Sequence, residues 1–159
     1  MAYAITIEPA KSQIATIEVP HVIPYEAIKN FIDTYLTGTG LGAGLYMYVD
    51  DEGLLQEDND YFTFKPKDGP GTLYAGKALI CAIDHKGDSI AFPKDVADVI
   101  IKSLGAMVVF LGKRKNLPKA IAEGTIHRPV TTFTVPGKDP ETLWEFPDSY
   151  DGKKWDIPT

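Results

Sequence analysis

The sequence predicts an α+β fold: a mainly antiparallel β-sheet of about six to eight strands, two longer helices and one or two short ones. Three observations lead there. Apolar and polar side chains alternate with period two in successive pairs of short segments joined by turn residues, first in Tyr3–Glu8 and Gln13–Val19. Two other stretches, from Tyr25 to Leu36 and from Pro93 to Leu104, repeat their apolar residues at helical spacing. Glycine and proline, 14 and 12 among 159 residues, interrupt the chain often enough to keep every element short.

Taken in order, YAITIE and QIATIEV are joined by PAKS and read as a hairpin. Pro24 suits the first turn of a helix, where its missing N–H costs nothing. Ile28, Phe31, Ile32, Tyr35 and Leu36 give that helix one apolar face, to be covered by the strands after it. TGTGLGAG, residues 37–44, reads as a loop that ends the helix, because glycine accepts the left-handed conformation past a C-terminus. Leu45–Val49 is the next strand, turned at Asp50-Asp51-Glu52-Gly53 into a second apolar run, and Tyr61–Lys65 is a further strand. The stretches from Leu73 to Ile83 and from Asp88 to Phe92 form another pair, turned at His85-Lys86-Gly87. The helix that begins at Pro93 is expected to stop at Gly105, and AMVVFL (residues 106–111) to be a strand buried on both faces. A short helix from Pro118 to Glu123 and a strand from Pro129 to Val135 complete the order, Pro129 placing that strand at or near a sheet edge.

A chain of 159 residues suits one domain, long enough to bury roughly 70% of its unfolded surface without staples. No apolar stretch reaches the ~18 residues of a membrane span, and the N-terminus carries no basic region followed by an apolar one. A single cysteine, Cys81, forbids an intrachain disulfide and fits a reducing cytoplasm. The net charge of −6 is uneven: residues 1–95 carry 14 acids and 7 bases, residues 96–159 carry 8 and 9. No global basic footprint for nucleic acid is present.

Most candidate motifs dissolve on inspection. Gly38, Gly40 and Ala43 have G-x-G-x-x-A spacing, but a dinucleotide loop follows a strand and opens a helix, the reverse of this context. A calcium loop begun at Asp50 would put Leu55 sixth and Tyr61 twelfth, where glycine and glutamate are required. His21, His85 and His127 pair with no cysteine at metal spacing, and Asp84-His85 sits in a turn whose residue types serve the backbone. Cys81, mid-strand, reads as a small buried hydrophobe. No catalytic residue, metal or cofactor is therefore assigned. Two features remain. Lys113, Arg114, Lys115, Lys119, His127 and Arg128 cluster around a short helix and could hold an anion or an acidic partner. Trp144, Phe146, Tyr150 and Trp155 lie among acids in a proline-punctuated C-terminal arm, and such rings are the usual interface anchors. The arm either packs on its own domain or docks on a partner, with exchange between copies as a third possibility.

Ile5-Thr6-Ile7-Glu8-Pro9, Ile17-Glu18-Val19, the helix after Pro24, Val49-Asp50-Asp51-Glu52-Gly53, the stretch from Gly76 to Ile83 and the turn from Asp84 to Gly87 recur in a fixed order. That order resembles a family of domains of unknown function common in bacteriophages and gut metagenomes, over about residues 4–93. The resemblance makes residues 94–159 an appended layer of one domain. It also implies a protein encoded by a phage or mobile element and working in the bacterial cytoplasm. The expected function is non-enzymatic binding of a host protein, as an inhibitor of host defence. The alternatives are a sponge for an anionic small molecule or signalling nucleotide, and a small enzyme of unknown chemistry.

Overall fold

A computed structural model describes residues 1–33, 36–51, 59–65 and 69–127. The expected α+β class holds, with nine strands, two longer helices and one short helix among these residues. The larger sheet is antiparallel throughout, built from β1 (Ala2–Glu8), β2 (Gln13–Val19), β3 (Leu36–Gly42), β4 (Leu45–Asp50), β7 (Ala78–Ile83) and β8 (Ser89–Ile90). Its strands run in the order β2-β1-β7-β4-β3, so β7, the last of its long strands in the chain, is the central one. β8 takes over from β1 along the second half of β7. The smaller antiparallel sheet is built from β5 (Tyr61–Phe64), β6 (Leu73–Ala75) and β9 (Val108–Gly112), in the order β6-β5-β9.

Strand alternation sorts the side chains into layers. On one face of the larger sheet Ala4, Leu79 and Cys81, with Tyr46 and Tyr48, meet Ile28 and Ile32 of α1 (Tyr25–Ile32). On the other, Ile5, Ile7, Met47, Val49, Ala78 and Ile80 meet two partners. These are Ala97 and Leu104 of α2 (Lys94–Met107), and Phe62, Phe64 and Phe110 of the smaller sheet. The far face of the smaller sheet, Tyr61, Leu73 and Ala75, is closed by Leu117 and Ala120 of α3 (Leu117–Ala122) and by Ile126. The order of layers is therefore helix, sheet, sheet with helix, helix.

Several elements depart from their sequence readings. α1 ends at Ile32, not Leu36, because Asp33 adopts the left-handed conformation (φ 68°) and its N–H closes the helix on Lys29 O. The glycine-rich run is not a loop: Leu36–Gly42 is edge strand β3, paired residue for residue with β4 up to an irregularity at Gly40/Gly42. The stretch from Leu73 to Ile83 is two strands in two sheets, broken at Gly76, whose φ of 77° turns the chain from one sheet to the other. Gly105 does not stop α2, which continues to Met107. β9 starts at Val108 and is half-buried along its length, since it is an edge strand of the smaller sheet. α2 and β9 share the intersheet core with residues from the first 93 positions. The second apolar run after Gly53 and the strand expected at Pro129–Val135 lie outside the described residues.

Candidate functional site: a carboxylate-lined cleft at one end of the larger sheet

The register of the three central strands sets the site. Ala78 of β7 is flanked by Ile7 of β1 on one side and Val49 of β4 on the other. One step further out, Glu8 and Asp50 fall on either side of Lys77. Ile7, Val49 and Ala78 point into the intersheet core, so alternation turns Glu8, Asp50 and Lys77 toward the face that carries α1. The Lys77 ammonium accordingly lies over the Phe31 ring of α1, 5.3 Å from its centroid, a cation–π contact. A cleft of about 350 Å³ opens here, walled by Glu8, Asp33, Asp50, Asn59, Asp60 and Lys77.

Each wall residue is placed by a local device. Asp33 is the left-handed residue that caps α1, a conformation that aspartate tolerates better than most residues. Asn59 folds back so that its Oδ1 accepts from Asp60 N–H at 3.1 Å, and Asp60 O accepts from Gly76 N–H at 2.9 Å. Two lysines reach in from outside: Lys11 pairs with Glu8 (3.4 Å) and Lys113 with Asp60 (3.1 Å). The lining offers four carboxylates, one amide and one ammonium. Among the described residues no group of three or more His, Cys, Asp or Glu is arranged to hold a metal ion.

Of the basic residues singled out in the sequence, five are described, and Arg114 alone among them is buried. Arg114 is only 7% exposed, and its Nε donates to Tyr61 Oη at 3.2 Å, so it lies against the second core. Lys113 is directed at Asp60 of the cleft. Lys115 and Lys119 are exposed, Lys119 standing 3.8 Å from Glu123 one turn on. His127 is exposed and its backbone N–H donates to Gly71 O at 2.9 Å. Arg128, Trp144, Phe146, Tyr150 and Trp155 lie outside the described residues. Cys81 is fully buried, as its strand position predicts, and burial pushes its thiol up from the ordinary 9.0, with Ser89 opposing through a hydrogen bond. Beside it Tyr48 Oη and Ser89 Oγ share a 2.7 Å hydrogen bond, and burial raises the Tyr48 phenol.

Sequence reasoning names Asp50 only in a turn and a rejected calcium loop and Glu8 only at a strand end, and assigns no role to Asp33, Asp60 or Lys77. The signal that would find them is register: Glu8 and Asp50 are each the last residue of a strand that pairs with the start of β7. No curated protein and no solved structure matches the chain significantly. No helix among the described residues is long and apolar enough to cross a membrane. The family described as Domain of unknown function (DUF3846) matches residues 1–105, two thirds of the 159-residue chain, which spans every wall residue of the cleft, and the chain belongs to that family.

Proposed function

We propose that this protein is a binding protein, not an enzyme, and that its carboxylate-lined cleft takes a basic side chain or short basic segment of a partner protein. The observation that carries this reading is the register that brings Glu8 and Asp50 to either side of Lys77, with Asp33 and Asp60 completing an acidic wall. Charged groups converging on a concave site fix the orientation and specificity of what enters it. What supports binding is the character of the lining, whose carboxylates are ionic acceptors suited to pairing with an incoming ammonium or guanidinium. In the phage or mobile-element setting that the family resemblance implies, the partner is a bacterial host protein in the cytoplasm, and the role is to inhibit a host defence.

The test is capture from bacterial lysate by the tagged chain, compared with Asp33→Asn/Asp50→Asn, under low and high salt. A partner recovered by the first, lost with the double variant and weakened by salt is the expected result. Both substitutions keep side-chain shape, so the melting temperature of the variant serves as the control. A partner recovered equally by both chains sinks the cleft reading, and turnover of a small molecule replaces it with an enzyme. The anion-binding alternative draws on Lys113, Lys115, Lys119 and His127, all exposed, whereas Arg114 is buried against Tyr61. Retention of a nucleotide through purification, abolished by Lys115→Glu/Lys119→Glu, is the result that would favour it.

A further inference from the structure

Among the described residues the larger sheet has two unpaired edges, β2 and β3, and they differ. Along β3 the pairing with β4 breaks register between Gly40 and Gly42, an irregularity that spoils an edge for further pairing. Along β2 all seven residues pair with β1 without a shift, from Gln13 opposite Glu8 to Val19 opposite Ala2. The strand, QIATIEV, holds no proline and no lysine, so the usual devices that blunt an exposed edge are absent.

The hydrogen bonds of β1 fix which backbone groups of β2 face outward. Tyr3 N–H donates to Phe92 O at 2.9 Å and Phe92 N–H donates to Tyr3 O at 2.7 Å, so both groups of Tyr3 point away from β2. Direction alternates along a strand, so Ala2, Ala4, Thr6 and Glu8 face β2 and bond their partners Val19, Ile17, Ala15 and Gln13. The N–H and C=O groups of the residues between, Ile14, Thr16 and Glu18, therefore point off the sheet. Among the described residues no backbone hydrogen bond joins these three to another element. The side chains around them are half-buried, Ile14 against the intersheet core and Ile17 and Val19 against the core beneath α1.

We propose that the β2 edge pairs antiparallel with β2 of a second copy of this chain, about a two-fold axis at Thr16. In that register Thr16 faces its own copy and Ile14 faces Glu18 of the second copy, so every outward group is used and each pair exchanges two N–H···O=C bonds. Moving the axis to Ala15 or to Ile17 leaves Glu18 or Ile14, respectively, without a strand residue opposite. The side chains fit the same register. Ile17 stands opposite Ala15 of the second copy on the α1 face, and the two threonines meet on the other, both favourable cross-strand pairs. Glu18, the only charge on the strand, faces Ile14, so no like charges are opposed. The proposal is separate from the carboxylate cleft, none of whose walls lies on β2.

Sedimentation of the full chain over a wide concentration range, with amide hydrogen exchange read residue by residue at each end of it, tests the pairing. The expected mass at submillimolar concentration is twice the 17.4 kDa of one chain, falling to one on dilution. The amides of Ile14, Thr16 and Glu18 should be protected in the dimer and lose that protection on dilution. Those of Ala15 and Ile17, bonded to β1, should stay protected throughout and serve as the internal control. Thr16→Pro removes the central outward N–H and spares the bonds to β1, and it is expected to weaken dimerisation at least tenfold. Thr16→Lys sets two ammonium groups opposite each other and carries the same expectation without touching the backbone. A chain that stays monomeric up to millimolar concentration overturns the proposal. So does a dimer whose Ile14, Thr16 and Glu18 amides exchange freely, or one that neither variant weakens. Protection of those three amides in the monomer assigns the edge to the chain itself, and protection that arises only when lysate is added assigns it to another protein; either result also overturns the pairing.

Discussion

Gly38 and Gly40 occupy the same strand and make opposite demands. A Cβ added at Gly38 would collide with the ring of Tyr46, whereas at Gly40 it would meet nothing within 4 Å. Gly38 is therefore small because an aromatic ring from β4 lies across the strand, a known means of protecting backbone at a glycine in an edge strand. Gly38→Ala is expected to destabilise by about 1–3 kcal/mol, the range for overpacking. Gly40→Ala is expected to stabilise by about 0.4–1 kcal/mol, because it restricts the unfolded chain without a clash. Urea denaturation of the two variants checks the pair, and equal effects would remove the Tyr46 explanation. The contrast also shows why the sequence reading of this run as loop fails. Four glycines in eight residues carry the composition of a turn, and the reason for Gly38 is a ring eight positions away. Cys81 is legible because its setting is local: alternation within β7 puts it on a buried face whatever lies opposite.

At the level of the element, pattern sets what forms and neighbours set where it stops. The hairpin of β1 and β2 matches its reading at every residue but Ala2, because both strands alternate cleanly and the turn between them is short. α1 and α2 exist as their apolar spacing predicts, but each ends elsewhere than the spacing suggests. α1 is cut short at Asp33, which takes the left-handed position that a sequence reading reserves for glycine. α2 runs through Gly105, since Leu104 is anchored in the intersheet core and holds the last turn in place. Gly105 thus sits inside a helix with open space around its α-carbon. Gly105→Ala is expected to raise stability by about 0.8–1.0 kcal/mol, the difference between the two residues in a helix interior. A thermal melt that moves down instead would show that the glycine is needed for a contact or a local geometry. The candidate site is less legible than either helix. Its residues are single acids at strand and helix ends, 8, 33, 50 and 60, which carry no spacing signal and come together only through the β1-β7-β4 order.

For the whole molecule the question is how much of the chain the fold requires. The family match ends at residue 105, inside the last turns of α2, but the packing does not end there. Leu117 and Ile126, 0% and 2% exposed, close the far face of the smaller sheet over Tyr61 and Leu73, and β9 supplies one of that sheet's three strands. Burying one such aliphatic side chain contributes about 1.5–3 kcal/mol, so losing two removes roughly 3–6 kcal/mol before Tyr61 and Leu73 are counted. Domains of this size have only about 5–15 kcal/mol in total. A chain of residues 1–105 is therefore expected to lack a cooperative thermal transition and to aggregate through the uncovered smaller sheet. Residues 1–127, which retain α3 and the Gly71–Ile126 bridge, are expected to melt cooperatively. Calorimetry on the two chains decides it. A cooperative melt from residues 1–105 would mean that the larger sheet and its two helices are stable alone, and that β9 and α3 are an accessory to a smaller unit.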